Sequence, residues 1–169
     1  MQTWSGFYAT IATVAATLLG LLFVAISINA ESLGPGHEDS RRLAEQGFQN
    51  YLAVLLVALV AMFPGMSSDT LGVVAISVTI VASIWVLIRF WQTLRDARQL
   101  KGRFSSVRRH AVSVLGFVML IYSAFRMRSG DPGQDAPDIF ASALIVLVSS
   151  ATVASWELLL RISRFRRRS

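Results

Sequence analysis

In 169 residues the chain carries 54% apolar and 15% charged side chains, where soluble domains carry about 25% charged residues; this excludes an ordinary water-soluble domain and makes lipid the solvent for most of its surface. The formal charge of +6 does not argue for nucleic acid, because a basic chain reads that way only when Lys and Arg collect on a soluble face, and here they fall between apolar runs. The lack of cysteine excludes disulfides, thiolate metal sites and cysteine nucleophiles.

The pattern predicts an all-α polytopic transmembrane bundle, one domain over residues 1–169, with five spans. A bilayer core of about 30 Å needs roughly 20 residues of helix. The first run, residues 1–30, gives a span over about 4–30. It lacks a positive leading region, is longer than the usual apolar core of a signal peptide, and ends in the poor cleavage sequence Ile28-Asn29-Ala30, so it is expected to be retained. Gly34-Pro35-Gly36 breaks it, and Asp39-Ser40 or a neighbour starts the next helix. The second span is expected over about 46–66, the third over 70–91, the fourth over 109–127 and the fifth over 138–160, followed by a basic tail at 161–169. Tight turns at Pro64-Gly65 and Asp131-Pro132-Gly133 separate the second span from the third and the fourth from the fifth. The charge-free part of the fourth, Ala111 to Phe125, is short and needs His110 and Arg126 to snorkel.

Positively charged loops stay in the cytoplasm. If the five runs alternate, all but Arg126 and Arg128 of the 16 basic residues fall on one side, and Asp69, Asp131, Asp135 and Asp138 fall on the other. The expected topology is therefore N-terminus outside and C-terminus cytoplasmic. Trp4, Phe7, Tyr8, Phe63, Tyr122, Phe125 and Phe140 then lie near the outer interface, and Tyr51, Phe90, Trp91 and Trp156 near the inner one. Trp85 sits deeper, as a packing residue.

The first span holds the candidate site. Steps of three and four from Thr3 reach Gly6, Thr10, Thr13, Thr17, Gly20, Val24, Ser27 and Glu31, and such steps return to one helical face. Every member except Val24 is small, hydroxylated or acidic. Ala9, Ala12 and Ala16 run beside them and with Gly20 make a small-xxx-small series, while Ile11, Leu18, Leu22 and Ile26 occupy the opposite face, for lipid or larger packing partners. The stripe is a contact seam between helices, since lipid provides no hydrophobic drive and close packing decides association. Alternatively, several copies surround an axis, the threonines line a pore and Glu31 forms an acidic, cation-favouring ring.

Arg89 and Glu157 reach similar depths near the inner boundary and form a candidate intramembrane ion pair, with Glu157 bonding Arg161 at i,i+4 as the alternative. Ser142, Ser149, Ser150, Thr152 and Ser155 give the fifth span a small polar face of the kind that packs. Asp131, Asp135 and Asp138 do not have the spacing of a calcium loop, and His37 and His110 stand apart from other ligand residues. No HExxH helix, GxSxG elbow, phosphate-binding glycine loop or intramembrane aspartate pair is present. Neither metal nor cofactor is expected, and the chain reads as non-enzymatic. The basic loops and tail face anionic lipid rather than nucleic acid.

Trp4, Phe7-Tyr8, Ala15-Ala16 and the run from Gly20 to Asn29 resemble the opening segment of a family of small uncharacterised bacterial multi-pass membrane proteins, some labelled modulators of a membrane protease. The resemblance covers about the first 30 residues. It implies a bacterial cytoplasmic membrane location and no established reaction. The expected function is homo-oligomeric or partner assembly through the first-helix seam, with an ion channel lined by that helix as the alternative and a transporter using Arg89 and Glu157 as a weaker one.

Overall fold

A computed structural model describes residues 4–30, 38–63, 70, 72–74, 76–81, 84, 88, 91, 104–128 and 135–166. It is all-helical: α1 (Ser5–Ile28), α2 (Glu38–Ala61), α3 (Gly72–Val81), α4 (Phe104–Arg128) and α5 (Ala136–Arg166). Three of these, over Ser5–Ile28, Ser40–Ala61 and Ala136–Ser163, are long and apolar enough to cross a membrane. Gly72–Val81 and Ala111–Met127 are shorter apolar helices. The composition is therefore that of an α-helical membrane protein.

α1 holds together without charge. It contains no acidic residue in its first turn and no basic residue in its last, and Trp4 at its N-cap makes no side-chain capping bond. Along its length the backbone satisfies its polar groups within the helix, as a lipid solvent requires. At the other end the Asn29 N–H turns back to the Ile26 carbonyl at 3.2 Å. α2 opens at Glu38, just ahead of the expected start at Asp39 or Ser40.

α5 is the central element, packing against α1, α2 and α4, while α1 also packs against α2. Two apolar cores lie along it. One joins Tyr8 of α1, Val54 and Val57 of α2, Phe117 to Met127 of α4, and Phe140 to Leu147 of α5, with Ile76 and Val78 of α3 packed against it. The second joins Leu22, Leu43, Tyr51, Ala154, Leu158 and Ile162. The first core thus gathers the early part of α1 and α5 with the late part of α2 and α4. Within the bundle α1 and α5 therefore run in one direction and α2 and α4 in the other.

Edge-to-face rings continue the first core from α1 to α5. Trp4 meets Phe7 at 5.9 Å, Phe7 meets Tyr8 at 5.6 Å, and Tyr8 meets Phe140 at 6.0 Å. Phe140 is wholly buried, and its partner in this chain of rings is Tyr8 on α1. Trp85 and Phe90 lie outside the described residues. Glycine sets the tightest approach between α4 and α5. A Cβ at Gly116 would stand 2.8 Å from Leu147 Cδ2, and Leu147 is itself fully buried. Large apolar side chains such as Leu21, Phe23, Val118, Phe125, Val153 and Trp156 cover the outside, as a lipid-facing surface requires.

Candidate functional site

The α1 stripe faces outward. Gly6, Thr10, Thr13, Thr17, Gly20 and Ser27 are all exposed, and a Cβ added at Gly6 or Gly20 meets nothing within 4 Å. The opposite face does the packing within the protomer. Leu22 is buried, and Ile11, Leu18 and Ile26 pack against the two cores. The alanine series divides, with Ala12 buried and Ala16 exposed. Only 17% of the apolar window of α1 is buried, against 56% for α2 and 44% for α5, which makes α1 the least enclosed of the three. Thr3 and Glu31 lie outside the described residues.

Each stripe hydroxyl among the described residues is satisfied by its own helix. Thr10 Oγ1 donates to the Gly6 carbonyl at 2.9 Å, Thr13 to Ala9 at 2.9 Å, Thr17 to Thr13 at 2.8 Å and Ser27 to Phe23 at 2.9 Å. This back-bonding to residue i−4 hides the proton and leaves the oxygen lone pairs as the outward polar feature. The face can meet lipid or another helix without stranding a donor, and it presents acceptors only.

A second polar group lies inside the bundle. Gln46 Nε2 and Asn50 Nδ2, one turn apart on α2, donate to Ser113 Oγ of α4 at 3.1 and 2.9 Å, and Ser113 Oγ lies 2.8 Å from Ser150 Oγ of α5. A hydroxyl offers two lone pairs and one proton. With both lone pairs taken by the amides, Ser113 must donate to Ser150. The chain of bonds therefore has a fixed direction, from α2 through α4 to α5. All four side chains are buried. The Gln46 Oε1 and Asn50 Oδ1 oxygens are buried and, among the described residues, have no hydrogen-bond partner. Next to this group Tyr51 Oη bonds Thr152 Oγ1 at 3.0 Å. Thr152 gives its own proton to the Val148 carbonyl, so Tyr51 is the donor.

The cluster contains no ionisable group. It can fix the register of three helices, because neutral amides and hydroxyls inside a membrane protein bond across helices, but it offers neither a general base nor a nucleophile activated by one. Reading the sequence for charge-free windows passes over it, since amides carry no charge. The signal was present as Gln46 and Asn50 at i,i+4 within an apolar run. The serine-rich face of α5 also divides: Ser150 turns inward, Ser155 is half-buried and donates to the Ala151 carbonyl at 2.9 Å, and Ser142 and Ser149 are exposed.

Glu157 bonds Arg161 through Oε1 at 3.1 Å, one turn along α5. Arg89, the other member of the expected intramembrane pair, lies outside the described residues. So do His37, Asp69 and Asp131, while Asp135 and Asp138 are exposed near the start of α5. Among the described residues no group of three or more His, Cys, Asp or Glu could hold a metal ion.

The class of protein defined by these elements is an α-helical membrane protein with an exposed, hydroxyl-bearing first helix and a buried neutral polar clasp. Comparison with protein-family models, curated proteins and solved structures gives no match.

Proposed function

We propose that this is a non-enzymatic integral membrane protein of five spans, N-terminus outside and C-terminus cytoplasmic, that assembles with copies of itself through the outward stripe of α1. The observation that carries the reading is the outward placement of Gly6, Thr10, Thr13, Thr17, Gly20 and Ser27 while Leu22 turns into the bundle. Between membrane helices, small residues favour close backbone approach and bulky ones do not. A helix serving only its own bundle would place its small residues inward. α1 buries Ala12 and Ala15 but turns Gly6, Thr10, Thr13, Ala16, Thr17, Gly20 and Ser27 outward, which suits it to a second copy. The bacterial cytoplasmic membrane, with anionic lipid against the basic loops and tail, completes the proposal; nucleic acid is not among its partners.

Cysteine substituted at Thr13 tests it directly. In liposomes or intact membranes, oxidation is expected to crosslink the full-length protein into dimers or larger species, and Gly20→Leu is expected to reduce that crosslinking. A product that stays monomeric, together with monomeric sizing in detergent, would sink self-assembly.

The back-bonded hydroxyls favour a second reading, an oligomeric cation channel lined by α1, because they present only acceptor oxygens outward and rings of acceptors suit cations. Ion flux from reconstituted liposomes separates the two. A channel loses or changes flux in Thr13→Val and Glu31→Gln, whereas an assembly without a pore shows no flux in any form.

A further inference from the structure

The outward face of α2 carries a groove that the α1 stripe does not use. Arg41, Glu45, Gln49, Leu52 and Leu56 follow one another by three or four residues, so they share that face. Ile26 of α1 flanks it at the Arg41 end, where an opening of about 250 Å³ is lined also by Ala44, Glu45, Phe48 and Gln49. Ser77, Val78 and Val81 of α3 flank it further along, where an apolar opening of about 390 Å³ is lined also by Leu52, Ala53 and Leu56. Gln49 borders both openings. The groove is thus apolar along its lining and carries the Arg41 and Glu45 charges at one end.

Its length fits one leaflet. The climb from Glu45 to Leu56 is roughly 16 Å at about 1.5 Å per residue, close to half of a hydrocarbon core of about 30 Å. The polar end holds charges of both signs, with Arg41 Nε 3.4 Å from Glu45 Oε1 and the Arg41 side chain mostly exposed. An anionic headgroup would gain from the arginine but meet the carboxylate. A headgroup carrying both a phosphate and a primary ammonium matches the pair, since guanidinium binds phosphate through charge-assisted bonds and an ammonium offers N–H donors to a carboxylate. A quaternary ammonium offers none.

We propose that this groove binds one phospholipid with a phosphate and a primary ammonium in its headgroup, the acyl chain lying against Leu52, Leu56, Val78 and Val81 and the headgroup meeting Arg41 and Glu45. The proposal rests on the membrane reading of the chain, and it stands or falls independently of self-assembly through α1.

The test is thermal unfolding of the full-length protein in detergent micelles doped with phosphatidylethanolamine, phosphatidylcholine or phosphatidylglycerol of matched chains. Phosphatidylethanolamine is expected to raise the melting temperature by several degrees more than either of the others. Glu45→Gln is expected to abolish its advantage over phosphatidylcholine while keeping the stabilisation common to both. Ser77→Leu, which places bulk in the apolar part, is expected to weaken the effect of all three lipids. Equal shifts from the three lipids, a larger shift with phosphatidylglycerol, no shift with any lipid, or a preference that survives Glu45→Gln would each overturn the proposal. Crosslinking at Thr13, scored on the same variants, reports the fate of self-assembly separately.

Discussion

Two sets of small or polar side chains in this protein look alike in composition and behave differently. On α1, Thr10, Thr13, Thr17 and Ser27 send their protons back to their own helix and face outward. In the interior, Gln46, Asn50, Ser113 and Ser150 bond across α2, α4 and α5 and are shielded from the surroundings. A hydroxyl close to the backbone can be satisfied within one turn of its helix. An amide has two N–H groups and a carbonyl oxygen to satisfy, more than a single back-bond can settle. Facing inward, each amide gives one N–H to Ser113 of α4, while its carbonyl oxygen has no partner among the described residues; the threonines, settled within α1, face outward. The glycines repeat the contrast, with Gly116 pressed against Leu147 and Gly20 facing open space.

The contrast breaks most sharply at Gly116. Gly116→Val forces atoms into the α4–α5 contact, where even a Cβ would lie 2.8 Å from Leu147 Cδ2. A loss of about 3 kcal/mol is expected, at the top of the usual range for overpacking, measured by unfolding in mixed micelles with a denaturing detergent. Ser113→Ala comes next. It removes the shared acceptor of two buried amides and should cost about 1–3 kcal/mol, the range for stranding buried polar groups; an unchanged midpoint would mean that the amides find other partners. Tyr51→Phe deletes a single bond to Thr152 and should cost about 0.6 kcal/mol, the average for such bonds between membrane helices. At the small end, Thr13→Val and Gly20→Leu should leave protomer stability within about 0.5 kcal/mol, as expected for positions away from buried packing. The effect of Gly20→Leu should appear instead in the crosslinking assay, and that of Thr13→Val in the oligomer size. A protomer destabilised as much by Gly20→Leu as by Gly116→Val would erase the distinction between the two faces.

Much of the helical order was legible from the residues. Ser5–Ile28, Ser40–Ala61 and Ala136–Ser163 are each long and apolar enough to cross a membrane, and a helix with so long an apolar stretch is what a bilayer core accepts. The expected shortness of the fourth run has a counterpart in Ala111–Met127, which remains a shorter apolar helix. The face of α1 that matters was also readable as a stripe, since helical periodicity assigns residues to faces without reference to partners. Whether that stripe turns inward or outward was not readable. Both directions satisfy the hydroxyls, so the choice rests with Leu22 and Ile11, whose bulk fits the spaces left by α2 and α5.

The polar clasp was missed for a different reason. Gln46 and Asn50 are neighbours on α2, but Ser113 and Ser150 come from distant helices. Nothing in their individual spacing says that these two serines meet while Ser142 and Ser149 stay exposed.

By itself, then, the sequence determined the solvent, the helical class and the amphipathic division of each helix, because these depend on side-chain chemistry and on the fixed rise and turn of one helix. The tertiary structure alone decided which face of α1 is left uncovered, which serines become acceptors and where α1, α2 and α3 leave a groove. Those outcomes depend on the fit of side chains separated by tens of residues, and fit is a property of the assembled bundle.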